Sequence, residues 1–127
     1  MKKVGILLLV IGIMSLSGCT GQIVDPIDVD LDVVIQNPSA YTKGKYRIMG
    51  YLEPVVVEHS SWSNDMVSGK FHTTVDINSP FIAIMFYTGS RTAMVLEAYI
   101  GEVISEPVAY ILVTQKIYGV WTLKTAS

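Results

Sequence analysis

Few side chains in this 127-residue sequence combine type and spacing in a way that could do chemistry. Asp28, Asp30 and Asp32 alternate with apolar residues, like the opening carboxylates of a calcium loop. Such a loop needs glycine at its sixth position and glutamate at its twelfth. Val33 and Ser39 stand there, so the segment reads as a solvated acidic stretch. Glu58, His59, His72 and Asp76 carry donor types of a zinc site, should their segments pair. Their spacing matches no metal motif, and the reading is surface histidines, with no metal or other cofactor expected. His59 with Ser60 and Ser61 supplies the residue types of a hydrolytic site, but no Gly-x-Ser-x-Gly turn presents a serine. Neither a phosphate-binding glycine loop nor a dinucleotide fingerprint is present. The expectation is a non-enzymatic protein, with metal-assisted catalysis as the remaining alternative.

Trp62 is the candidate contact residue. It stands between Ser61 and Ser63, beside Asn64 and Asp65, in the longest polar stretch of the chain. An aromatic with polar neighbours is either an anchor for a protein partner or sugar ring, or a lid folded back on the domain. Tyr51, on the outward face of a strand with Arg47 and Met49, would extend the same patch. Trp62, Tyr51, Arg47, His59, Asn64 and Asp65 are therefore the candidate ligand- or partner-binding residues.

The start of the chain sets an address. Lys2 and Lys3 precede an apolar run from Val4 to Leu16, and Ser17-Gly18 leads into Cys19, the only cysteine. That order is a secretory signal peptide. The run falls short of the about 20 apolar residues that an uncleaved spanning helix requires. Leu16-Ser17-Gly18-Cys19 resembles the lipobox of prokaryotic membrane lipoproteins. The resemblance implies cleavage before Cys19 and lipidation of its thiol with a diacylglyceryl group, alongside fatty acylation such as palmitate. Each buried methylene contributes about 0.8 kcal/mol, so two chains hold a protein on its membrane where one does not. The implied location is lipid-anchored and extracytoplasmic, at a cell surface or in a periplasm, in a bacterial or archaeal envelope.

Residues 1–18 are thus read as signal peptide, 19–29 as lipidated cysteine and acidic tether, and 30–127 as one small domain. With no second cysteine the domain has no internal disulfide and relies on packing. Asp25, Asp28, Asp30 and Asp32 put negative charge in the tether. From Val33 onward Lys43, Lys45, Arg47, Lys70, Arg91, Lys116 and Lys124 balance Glu53, Glu58, Asp65, Asp76, Glu97, Glu102 and Glu106. A neutral body gives no electrostatic footprint for nucleic acid or for an anionic lipid surface.

The elements that must position these residues are mainly strands. Asp30 to Gln36 reads as a brief helix capped by Asp30 and stopped by Asn37-Pro38, with a strand as the competing reading. Lys45 to Glu53 alternates as a half-buried strand, and Gly50 within it marks a bulge or tight bend. Pro54 argues for an interrupted ladder, with Val55 to Val57 resuming at an edge. Glu58 to Gly69 reads as a polar loop and Lys70 to Ile77 as a strand. Phe81 to Tyr87 reads as a strand covered on both faces. Ala93 to Glu97 fits a helical turn or a strand start. Ala98 to Ile104 reads as a strand around Gly101, and Val108 to Tyr118 as the last strong strand. Tyr46 and Tyr110 are expected in the core, with Trp121 packing across the bottom of the domain.

Asn37-Pro38-Ser39-Ala40-Tyr41 followed by Gly44 to Leu52, and Gly101-Glu102-Val103 followed by Tyr110 to Val113, resemble OB-fold domains similar to the tRNA-anticodon-binding type. The resemblance implies a small five-stranded OB-like antiparallel barrel with a short N-terminal helix. An unrelated β-sandwich is the other fold at this strand spacing. The basic groove of nucleic-acid-binding OB-folds is not evident here. The expected function is a membrane-anchored binding or adaptor module for an envelope protein, with a glycan-binding OB-like module second.

Overall fold

A computed structural model describes residues 25–126 of the chain. The segment read as a signal peptide and Cys19 lie outside the described residues. Among those described, no helix is long and apolar enough to cross a membrane.

The protein is mainly β. Its strands are β1 (Ile27–Asp28), β2 (Tyr46–Glu58), β3 (Asp65–His72), β4 (Phe81–Thr88), β5 (Val108–Ile117) and β6 (Val120–Thr125). Helix α1 (Leu31–Gln36) precedes a 3₁₀ turn at Pro38–Tyr41, and helix α2 (Ser90–Glu97) connects β4 to β5. The strands form a six-stranded mixed sheet in the order β1-β2-β3-β4-β6-β5, with β2 also pairing β5. This corrects the expected five-stranded antiparallel barrel: β1–β2 and β4–β6 are parallel pairs, and β6 is an additional strand.

The long strand β2 organises the sheet. Its first half pairs with β5 as far as Gly50↔Val108, and its second half pairs with β3 from Tyr51↔His72 onward. The bend expected at Gly50 therefore falls where the strand changes partner. A Cβ there would lie 2.9 Å from both Leu31 Cδ2 and Phe71 Cε2, so the missing side chain lets α1 and Phe71 close over the strand. Pro54 does not end the ladder. It faces Gly69, and the register shift between Pro54 and Val56 absorbs the missing N–H donor. A Cβ on Gly69 would lie 2.2 Å from the Glu53 carbonyl oxygen, so only glycine admits this approach.

The core is what the period-two pattern presents inward. Ile48, Leu52, Val67, Phe71, Ile82, Ile84, Phe86, Leu112 and Leu123 are buried with Leu31 and Val34 of α1 and Ala93 of α2. Tyr46, Tyr110 and Trp121 pack against it half-buried. The helix reading of residues 30–36 holds, but Asp30 receives the first helical N–H groups through its backbone carbonyl, and its side chain makes no cap bond.

One loop and two strand assignments fail for local reasons. β3 starts at Asp65, because Met66 and Val67 pair with Glu58 and Val57, and the polar loop shrinks to residues 59–64. β3 also ends at His72. Beyond it, Thr74 Oγ1 accepts from the Asp76 N–H and Asp76 Oδ1 from the Asn78 N–H, folding the alternating segment into turns. Residues 98–102 form a turn, with Gly101 at φ 89°, and 103–104 leave it without regular structure. They still donate from Gly101 N to the Pro54 carbonyl and from Ile104 N to the Leu52 carbonyl.

Candidate functional site

Loop 59–64 is held by its own polar groups. Asp65, 1% exposed at the first position of β3, accepts the Ser60 N–H through Oδ1 at 2.9 Å and faces His59 Nδ1 through Oδ2 at 2.7 Å. His59 Nε2 lies 3.0 Å from Glu97 Oε1 at the end of α2. The imidazole therefore ties the loop to both β3 and α2. Its hydrogen bonds to Asp65 first and Glu97 second raise the His59 pKa above its ordinary value. The Ser60 N–H and then His59 hold the Asp65 carboxyl below the ordinary range. Ser60 Oγ accepts from the backbone N–H groups of Trp62 and Ser63, which closes the tip into a tight turn. Trp62 is presented outward at 94% exposure, in solvent and not as a lid.

The six sequence-nominated residues do not form one patch. Trp62 and Asn64 are exposed on the loop, while His59 and Asp65 form the clamp beneath it. Asp65 is buried and positions the loop; it is not a surface for a ligand. Tyr51 and the loop lie at opposite ends of the β2–β3 ladder, about 23 Å apart at about 3.3 Å per residue. Arg47 lies further along β2 and pairs with Asp28 at 2.9 Å. Tyr51 and Arg47 therefore do not extend the Trp62 surface.

The catalytic and metal arrangements weighed from sequence are not assembled among the described residues. Glu58, His59, His72 and Asp76 do not meet: His72 is fully buried with Nε2 2.7 Å from Glu53 Oε1, and Asp76 sits in the β3–β4 turn. The carboxylates beside His59 approach different ring nitrogens and do not converge on one point. No group of three potential ligands among the described residues could hold a metal ion. Ser60 Oγ faces Trp62 and Ser63 rather than His59.

The structure adds a surface that the sequence reading missed. Ile82, Ile84 and Phe86 of β4 enter the core, while Phe81, Ala83, Met85 and Tyr87 face outward, so β4 is covered on one face only. A groove of about 460 Å3 crosses this outer face, bounded by Lys70, Phe81, Met85, Tyr118, Val120 and Thr122. Lys70 Nζ stands 4.8 Å from the Phe81 ring centroid. Tyr118, at φ 51° in the β5–β6 turn, is fully exposed at the groove edge. Tyr87, opposite Met66, continues the apolar row from the groove toward loop 59–64. The signal was available in the period-two reading of Phe81, Ala83, Met85 and Tyr87. It was hidden because every residue of that strand up to Tyr87 is apolar, and periodicity then assigns no face.

No protein-family model matches the chain, and no curated protein matches it. Among solved structures the chain is similar to one described as an aspartyl-tRNA synthetase from Leishmania major Friedlin, with a TM-score of 0.46 and 9% identity. That match covers 86% of this chain and spans 21% of the other.

Proposed function

We propose that this protein is a lipid-anchored, extracytoplasmic lipoprotein serving as a non-enzymatic binding or adaptor module for an envelope protein. We read its domain as OB-like: β2 pairs with both β3 and β5, β4 and β6 close in parallel, and one helix joins β4 to β5. The observation that carries the binding role is the outward row Phe81, Met85 and Tyr87, flanked by Tyr118 and leading to the exposed Trp62. Tyr87 and Tyr118 are large side chains held in solvent, which suits a partner's surface, while the Phe81 ring also covers buried His72 at 5.3 Å between centroids. The anchor rests on the lipobox-like Leu16-Ser17-Gly18-Cys19.

Tyr87→Ser/Tyr118→Ser, at two exposed positions of this surface, tests the binding role. The wild-type protein, purified from its membranes in mild detergent, carries a discrete envelope protein that the variant loses without a change in denaturation midpoint. A partner retained at wild-type level by the variant contradicts the assignment. The second reading, a glycan-binding module, draws on the exposed rings of Phe81 and Tyr118 beside the groove. Saturable quenching of Trp62 fluorescence by envelope oligosaccharides, with no protein partner, would favour it.

A further inference from the structure

The outward row Phe81, Ala83, Met85 and Tyr87 runs the length of β4, about 20 Å at about 3.3 Å per residue. Ser68 and Ala83 line the groove with short side chains, between the longer ones of Phe81, Met85, Tyr118 and Val120. Beneath it the strands pair on both sides of β4: Lys70↔Ala83↔Thr122 and Ser68↔Met85↔Lys124. The main-chain N–H and C=O groups under the groove are therefore used within the sheet. The Thr122 hydroxyl is also engaged, donating to the Val120 carbonyl.

Whatever lies in this groove must satisfy its own backbone. An extended segment would press some of its N–H and C=O groups against apolar side chains, and each one left unpaired costs about 1–3 kcal/mol. An α-helix arrives with all but its terminal groups already bonded, and its apolar stripe fits a groove.

Charge sets a second requirement. Among the residues lining the groove Lys70 alone is charged, and no carboxylate joins it. Its Nζ is held at the Phe81 ring, and it forms no salt bridge among the described residues. Glu53 stands opposite Lys70 in register, but it is buried with Oε1 2.7 Å from His72 Nε2. Lys124, beside Met85 and on the face opposite buried Leu123, puts a second positive charge on this side. The far end differs, with Glu58 across Met66 from Tyr87.

We propose that the occupant of this surface is an amphipathic α-helix of an envelope protein, lying along β4 with its apolar stripe in the groove and a carboxylate paired with Lys70. This deepens the adaptor reading above and rests on it. At about 1.5 Å per residue the helix covers the row with about 13 residues, where an extended segment needs about six. Its carboxylate belongs to the end near Phe81 and Val120.

The test is photo-crosslinking of the full-length protein in its native cells, with adducts located on the partner by tandem mass spectrometry. Benzoylphenylalanine replaces Val120 in one variant and Tyr87 in another, both exposed positions. Because Thr122 pairs with Ala83, Val120 stands level with Phe81, about 20 Å from Tyr87. The expected adducts fall in one partner segment about 13 residues apart, with an Asp or Glu within one turn of the Val120 adduct. Adducts about six residues apart, or in unconnected segments, overturn the helix and leave the adaptor reading standing. Absence of a protein adduct from both positions removes the adaptor reading and the helix with it. In the Val120 variant, Lys70→Glu should lower the adduct yield about threefold or more, and Lys70→Arg should preserve it. Lys45→Glu, the same charge change just before β2, should alter the yield less than about twofold. An equal loss from Lys70→Glu and Lys45→Glu, or none from either, overturns the pairing with Lys70.

Discussion

His59 Nδ1 stands 2.7 Å from Asp65 Oδ2, so a half-exposed imidazole fastens loop 59–64 to a carboxylate that solvent does not reach. The same ring reaches Glu97 on α2, and the three side chains decide how the exposed Trp62 is carried.

This clamp has a pH window with two edges. The His59 pKa lies above 6.5, so its stabilisation is complete below about 6.5 and is lost as pH rises through the raised value. Asp65 lies below 3.8, so its contribution is complete above about 3.8 and is lost as pH falls through the lowered value. Titration of the His59 ring by NMR should give a midpoint above 6.5, and Asp65→Asn should move it down. A midpoint at or below 6.5 in the wild-type protein would count against the clamp.

How much of this was legible in the sequence depended on whether a residue's role is local. Gly50, Tyr46 to Leu52 and the helix stop at Asn37-Pro38 announce themselves through spacing alone. Trp62 was recognisable because an aromatic among serines has no neighbouring core to join. The link from His59 to Glu97 spans residues distant in sequence, and no period or motif relates them. Residues 98–104 alternate like a strand, yet Gly101 takes a positive φ and the segment turns. Strand β6 went unread because the turn at Tyr118-Gly119 interrupts an apolar run that looked like a single terminal strand and tail.

Gly69→Ala places a Cβ against backbone, whereas Gly50→Ala meets mainly the ends of the Leu31 and Phe71 side chains. Overpacking of this kind costs about 1–3 kcal/mol, and Gly69→Ala should be the more damaging. Urea denaturation of both variants checks the order; equal midpoints would show that β2 can yield at Pro54.

His72 and Glu53 form a buried hydrogen-bonded pair on the other side of the same strand contact. Glu53→Ala leaves a buried ring nitrogen without its partner, at a cost of about 1–3 kcal/mol. A double-mutant cycle with His72→Leu should show strong coupling, and additive losses would mean that the pair contributes no more than its packing.

Cys19→Ser removes the thiol that the lipobox-like sequence would present for acylation. The variant should leave the membrane fraction and lose lipid label, with the folded domain intact by circular dichroism. Retention in membranes would transfer the anchoring role to another part of the chain.

The most direct measurement of the central claim is a site-by-site photo-crosslinking scan in native membranes. Photoreactive residues replace Trp62, Tyr87 and Tyr118 on the outward row, and Val33 on the exposed side of α1 serves as the reference position. One discrete protein adduct, identified by mass spectrometry and formed from the three outward positions but not from Val33, is the predicted result. Protein adducts of equal yield from all four positions, or none from the outward row, would contradict an adaptor surface built on β4, the β5–β6 turn and the Trp62 loop.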